Sequence, residues 1–243
     1  KLDTSEHRRY WISLFSKKRI PLPPLGIQKE IVKELEQYQK VIKGAKQVVD
    51  NYKPNFLIDE SWEKVEIEKV CELNPKKSEI KDLDGSTNVS FCPMSCININ
   101  NEEFIPTEEK PLKEVYKGYT YFKNGDIILA KVTPCFENGK IGIADNLTNG
   151  IGFGSSEFYV FRANNLVLNK WIFLNLMNSD FIEHGINNFT GTSGLRRVPK
   201  NYILNHKIPL PSLEIQEKII NNYECEKLIV DGNKKLIEIY TKK

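Results

Sequence analysis

The chain writes one phrase twice. Residues Ile20-Pro21-Leu22-Pro23-Pro24-Leu25-Gly26-Ile27-Gln28-Lys29-Glu30-Ile31 return as Ile208-Pro209-Leu210-Pro211-Ser212-Leu213-Glu214-Ile215-Gln216-Glu217-Lys218-Ile219, a shift of 188 positions that keeps the apolar, Pro and Gln places. Proline lacks a backbone donor and pushes the residue before it out of the α region, so each copy reads as an extended lead-in followed at once by helix formers. Each copy therefore launches a helix. The stretch between them is richer in Gly, Asn, Phe and Thr, and is expected to be a globular module held between two related helices.

After the first copy the apolar residues fall at Ile31, Leu35, Tyr38, Ile42, Ala45, Val49 and Tyr52, in alternating steps of four and three, with Lys, Glu and Gln on the other faces. That spacing is a heptad seam. About 26 residues at ~1.5 Å rise make a rod of roughly 40 Å whose apolar stripe is too narrow for a buried core helix, so it needs a partner. The 188-residue shift supplies one, with Ile219, Tyr223, Glu226, Val230, Asn233, Ile237 and Tyr240 in the same places. Glu226 and Asn233 either fix register or lie at the seam margin. The first helix ends near Tyr52-Lys53-Pro54, where the module begins, and the second begins where the module ends. Both helices thus meet the module at the same end, which predicts an antiparallel pair; pairing between chains is the alternative.

The module reads as mixed and mostly β. Strand alternation is expected at Trp62-Glu63-Lys64-Val65-Glu66-Ile67 and at Glu114-Val115-Tyr116, and Gly125 to Val132 reads as a turn feeding a buried strand. Gly139 to Ala144 and Glu157 to Arg162 add two more, while Gly150-Ile151-Gly152-Phe153-Gly154 reads as a β-turn. Helices are expected across Asn169 to Met177 and near Phe181 to Ile186. Ahead of the first phrase, residues 1 to 19 carry the apolar patch Tyr10-Trp11-Ile12-Ser13-Leu14-Phe15 and the triplet Lys17-Lys18-Arg19. They read as the edge of an upstream domain or, alternatively, as a first strand of this one.

Composition narrows the chemistry. With 40% apolar residues in 243, the chain can build a core, and 35 Lys plus Arg against 32 Asp plus Glu leave a net charge of only +3. Affinity for nucleic acid must come from local clustering. The five cysteines (Cys71, Cys92, Cys96, Cys135 and Cys225) show no paired short spacings, which suits free thiols in a reducing, cytoplasmic setting. No apolar run approaches the ~20 residues of a membrane span, and the charged start is unlike a signal peptide. His7, His184 and His206 are scattered and Cys92-Pro93-Met94-Ser95-Cys96 has no second cysteine pair, so neither zinc nor any other cofactor is expected. An adenine methyltransferase would show Asn-Pro-Pro-aromatic, whereas the nearest text is Asn74-Pro75-Lys76-Lys77. No glycine-rich strand-to-helix loop and no Pro-Asp acidic cluster is present, so catalysis in this chain is not expected.

Two loops carry the chemistry that remains. Thr190-Gly191-Thr192-Ser193-Gly194-Leu195-Arg196-Arg197-Val198-Pro199-Lys200 offers a backbone opened by glycine, hydroxyls and amides for phosphate oxygens, and three cations. Lys131-Val132-Thr133-Pro134-Cys135-Phe136-Glu137-Asn138-Gly139-Lys140 is similar in kind. Lys131, Thr133, Asn138, Lys140, Thr192, Ser193, Arg196, Arg197 and Lys200 are the candidate DNA contacts, the first and last groups converging on one face. A solvated basic turn is the competing reading.

The paired Ile-Pro-Leu-Pro…Ile-Gln phrases, the text Gly125 to Lys140, Gly152-Phe153-Gly154-Ser155-Ser156-Glu157-Phe158, and Thr190 to Gly194 with Arg197-Val198-Pro199 together resemble the DNA specificity subunit of type I restriction-modification enzymes. The resemblance runs from about Ile20 to the end. It implies an α+β protein, a mostly β target recognition domain on a pair of long antiparallel coiled-coil helices. The implied division is 1–19 as an upstream edge, 20–56 as the first conserved helical region, 57–207 as the recognition domain and 208–243 as the second helical region. The implied partners are double-stranded DNA, methyltransferase subunits and a restriction subunit, with the reader taking one half of a bipartite site.

A full family member carries two recognition domains, and this chain has both helices but one module. Against the family pattern, the expectation is the carboxy-terminal half of a subunit, a halved subunit that forms a homodimer, or the recognition tail of a fused methyltransferase. A ~40 Å spacer is commensurate with one ~34 Å turn of B-DNA. The alternative from another class is a coiled-coil protein-interaction scaffold without DNA readout.

Overall fold

The computed structural model describes residues 19–52, 59–98, 103–192 and 194–242. The expectations for residues 1–18 and for Ser193 lie outside them. The chain divides into two units, whose described residues are 19–52 with 229–242, and 59–98, 103–192 and 194–228.

In the smaller unit, helix α1 (Leu25–Asn51) starts directly after Pro24, the last residue of the extended lead-in. The Gln28 amide donates to Pro24 O at 3.0 Å, and its side chain Nε2 donates to Pro23 O at 2.7 Å, so the glutamine ties the lead-in to the first helical turn. From Tyr38 onward the shielded positions are Tyr38, Ile42, Ala45, Val49 and Tyr52, whereas Ile27, Ile31 and Leu35 are about half exposed, at 46%, 46% and 48%. The Tyr38 ring meets that of Tyr240, near the end of the chain's last helix, with centroids 5.2 Å apart.

The larger unit is mixed α and β. Its elements in order are β1 (Lys64–Glu66), α2 (Ile67–Val70), β2 (Cys71–Leu73), β3 (Asn88–Cys92), β4 (Ile97–Asn98), β5 (Glu103–Phe104), β6 (Glu108–Pro111), α3 (Leu112–Val115), β7 (Thr120–Lys123) and β8 (Ile127–Ala130). There follow β9 (Ile141–Ile143), β10 (Ile151–Gly154), β11 (Phe158–Ala163), α4 (Asn169–Leu176), α5 (Ser179–Asn187), β12 (Thr190–Thr192), β13 (Leu195–Arg197), α6 (Lys200–Asn205), β14 (Lys207–Pro209) and α7 (Leu213–Thr241). Two four-stranded sheets form, ordered β6-β3-β10-β7 and β2-β11-β8-β9. All pairings are antiparallel except β10 with β3.

Layering explains why β8 and β11 are continuous apolar runs rather than alternating ones. Side chains on successive strand residues point to opposite faces. Ile127 and Leu129 of β8, with Tyr159 and Phe161 of β11, enter the core beneath α4 and α5, while Ile128, Phe158 and Val160 pack against Cys92 and Phe122 of the other sheet. That other sheet sends Val89, Phe91, Tyr121 and Phe153 to a third cluster, closed by Ile80, Leu112 and Val115. Strands buried on both faces read as near-solid hydrophobic text.

The second phrase is built into this unit. Ile208 on β14 pairs with Val65 on β1 and is 1% exposed, Trp171 Nε1 donates to Pro209 O at 2.9 Å, and the start of α7 buries Gln216, Ile220 and Tyr223. Gln216 is fully enclosed. Its Nε2 donates to Pro211 O at 2.9 Å and to Leu166 O at 3.1 Å, and its Oε1 accepts from the Leu168 amide at 2.9 Å.

Several local expectations change. Glu114-Val115-Tyr116 does not form a strand: Pro111 precedes a helical turn, closed by the Tyr116 amide donating to Leu112 O at 2.9 Å. Gly150 to Gly154 is not simply a turn. Gly150, at φ +69°, makes the turn, and β10 then runs through the middle of a sheet, where a side chain on Gly152 would strike the Phe122 ring. The stretch Thr190 to Lys200 is a β-hairpin followed by the start of a helix rather than an open loop. Trp62 to Ile67 shrinks to the three residues of β1 because Ile67 opens α2. All five cysteines are free thiols, and among the described residues no helix is long and apolar enough to cross a membrane.

Candidate nucleic-acid interface

Three segments far apart in sequence are knit together by main chain at one edge of the larger unit. The Thr133 amide donates to Arg196 O at 3.0 Å, the Arg196 amide returns a bond to Thr133 Oγ1 at 3.1 Å, and the Val198 amide donates to Lys131 O at 2.9 Å. Lys131 in turn donates its amide to Glu157 O at 2.9 Å and its Nζ to Ser156 O at 2.8 Å. The loop after β8, the turn between β10 and β11, and the β12–β13 hairpin therefore form one surface.

Each segment has a local reason for its shape. In the hairpin, Gly191 and Gly194 have φ of +116° and +93°, conformations that side-chain-bearing residues rarely adopt. The loop after β8 folds on itself, Phe136 N to Val132 O at 3.0 Å and Lys140 N to Cys135 O at 3.0 Å. Phe136 anchors it, fully buried against Phe181 and Phe189. The turn at Ser155 is set by the Glu157 amide donating to Ser155 Oγ at 3.2 Å.

Charges on this surface are partly committed. Arg197 makes a two-pronged ion pair with Glu157, Nε to Oε2 at 2.8 Å and Nη2 to Oε1 at 2.7 Å. That contact holds the Glu157 carboxyl below the usual range and raises Arg197, while burial lowers Lys131, with neighbouring Arg197 adding to the effect and Glu157 opposing it. The Arg196 guanidinium lies 5.2 Å from the Phe189 ring, and Lys131 Nζ lies 5.3 Å from that of Tyr159.

The sequence candidates fall into three groups. Lys131, Thr133, Arg196 and Arg197 share the knitted surface. Asn138 and Lys140 line instead a cleft of about 700 Å³ with Ser95, Cys96, Ile97, Asn98, Ile105 and Thr107, where Lys140 Nζ donates to Met94 O at 2.9 Å. Thr192 is exposed beside the hairpin turn, Lys200 is exposed at the start of α6, and Ser193 lies outside the described residues. Sequence reasoning missed Glu157, Ser156 and Phe189, as well as the Ser95–Thr107 wall. An acidic residue carries no signal for an anion-binding face, and pairing between positions 40 apart is invisible in linear text. Among the described residues, no cluster of three or more His, Cys, Asp or Glu could hold a metal ion.

An α+β unit with two extended, phrase-linked helices and a composite basic edge defines a class. Residues 59–222 match the family of the type I restriction modification DNA specificity domain, and the chain belongs to that family. It is 35% identical over 233 residues to the type I restriction enzyme EcoAI specificity subunit of Escherichia coli, and 34% identical to the EcoEI specificity subunit of the same organism. Each match covers 89% of this chain and 39% of the relative, so the chain spans well under half the length of the curated relatives it matches. The fold is similar to a chain solved in work on complex assembly and conformational transition of the type I R-M system, with TM-score 0.53 and 15% identity over 97% of this chain and 64% of that one. It is also similar to the HsdS subunit from Thermoanaerobacter tengcongensis, with TM-score 0.52 and 18% identity over 90% and 55% of the two chains.

Proposed function

We propose that this chain is a non-catalytic DNA-reading module of a type I restriction-modification system, taking one half of a bipartite duplex site. Residues 57–207 are the reader, and residues 20–56 and 208–243 are the helical regions that space it and dock partner subunits. The observation that carries this reading is the knitted surface, where loops separated by some 25 to 65 residues converge to present Arg196, Thr133, Ser156 and Lys131 together. Such a surface suits DNA: guanidinium and ammonium groups neutralise phosphates, and hydroxyls and amides fix register. The cleft with Asn138, Asn98 and Lys140 supplies side chains of the types that read adenine and guanine edges.

The two helices act as an antiparallel pair. The Tyr38–Tyr240 contact and the shielded stripe Tyr38, Ile42, Ala45, Val49, Tyr52 support this, as do the shielded Val230, Asn233, Ile237 and Tyr240; Tyr223 is instead buried in the core of the larger unit. Glu226 is exposed and belongs at the margin of that seam. A second face, with Leu228 at 73% and Ile229 at 61% exposure, gives partner helices apolar footing. The methyltransferase and restriction subunits hold the catalysis. The second half-site falls to a further recognition domain, or to a second copy in a homodimer.

Electrophoretic shift on duplex DNA tests the reading. Arg196→Ala with Arg197→Ala is expected to weaken binding and flatten its salt dependence by about one phosphate contact. Unchanged affinity and slope would remove the hairpin from the interface.

A further inference from the structure

The two hairpin arginines are sequence neighbours with opposite surroundings. Adjacent residues on a strand point to opposite faces. Arg197 turns inward to the forked pair with Glu157 and is bridged on its main chain to Val132; Arg196 turns outward over Phe189 and is exposed. The Glu157 carboxylate thus ties the hairpin to the turn before β11, and its main-chain carbonyl, accepting from the Lys131 amide, ties that turn to the loop after β8.

We propose that Glu157 is a positioning residue: it holds Arg197 as the anchor of the hairpin and thereby presents Arg196, on the other face of the same strand, to the duplex. This assignment rests on the DNA reading above. An uncompensated carboxylate would repel phosphate, but with its charge neutralised by a two-pronged guanidinium it adds rigidity without opposing the field of Lys131 and Arg196. A rigid hairpin loses less freedom on binding than a floppy one.

The test is a charge-balanced double variant, Glu157→Gln with Arg197→Gln, measured in the 243-residue chain against a random-sequence duplex pool across a salt series. The pair is removed without changing net charge, so binding is expected to weaken roughly fivefold while the salt slope stays at the parent value. Arg196→Gln is expected to lower the slope by about one. The swapped pair, Glu157→Arg with Arg197→Glu, rebuilds the anchor and is expected to regain part of the lost affinity, which a direct DNA contact by Arg197 would not allow. A slope lowered by about one in the charge-balanced double, or a swapped pair that binds no better than the double, would overturn the assignment while leaving the DNA reading intact. Salt-independent binding by the parent chain would overturn the DNA reading, and the assignment with it.

Discussion

The two copies of the repeated phrase share their local structure and differ in almost everything beyond it. In both, glutamine Nε2 reaches back five residues to a proline carbonyl, Gln28 to Pro23 at 2.7 Å and Gln216 to Pro211 at 2.9 Å. In both, the helix begins immediately after the proline-bearing lead-in. Yet Ile20 and Leu22 are 78% and 81% exposed, whereas Ile208 is buried on a strand and Gln216 is enclosed by the Leu166–Leu168 backbone. The shared features come from residues within one turn of each other. The differing features come from β1, α4 and the loop before it, which the second copy meets within its own unit.

Substitution in parallel positions should expose this difference most strongly at the isoleucines. Ile208→Ala is expected to cost about 2–4 kcal/mol in denaturant unfolding of the larger unit, because it opens a cavity beside Val65 and Trp171. Ile20→Ala should stay within about 0.5 kcal/mol, as for other surface positions. Equal costs would mean that the two phrases are packed alike.

The glutamines come next. Gln216→Ala strands the Leu168 amide and two carbonyls inside the fold, and is expected to cost about 2 kcal/mol; Gln28→Ala gives up a single half-exposed bond and about 0.5 kcal/mol. Thermal unfolding of the two variants side by side measures the contrast.

The sequence carried the local half of this comparison and left the rest unreadable. Proline placement fixed where both helices start, and heptad spacing picked out the positions of α1 that are shielded from Tyr38 onward. The same spacing gave no hint that Ile27, Ile31 and Leu35 are half exposed, because periodicity records a stripe and not what covers it. Strands β8, β9 and β11 were legible as apolar runs bounded by glycine or turn residues. Glu114-Val115-Tyr116 belongs instead to the turn of α3, because alternation over three residues does not distinguish a strand from one helical turn. At the interface, the cations were legible from composition, but Glu157 was not, since its role depends on a pairing across 40 residues. The repeat also runs further back than the phrase: the 188-residue shift relates Thr4-Ser5 and Arg8-Arg9 to Thr192-Ser193 and Arg196-Arg197. The text ahead of each phrase thus carries the same hydroxyl and paired-arginine spacing.

A smaller asymmetry is set by pH. His206, two residues ahead of Ile208, is lowered to about 4, first by burial against Phe181 and Tyr202 and then by His184 nearby. Its unfolded value is about 6.5, so between these values the unfolded chain binds the extra proton. The stabilisation is complete above pH ~6.5 and is lost as pH falls toward ~4, by on the order of 2 kcal/mol after allowance for partial exposure. His206→Gln should flatten that part of the stability profile.

Selection of bound sequences from a random duplex pool by the 243-residue chain tests the central claim most directly. Repeated rounds are expected to enrich one short motif, a single half-site, and Arg196→Gln is expected to lower retention of the pool while enriching the same motif. A chain that retains duplex without enriching any motif, or retains none at moderate salt, would contradict the account.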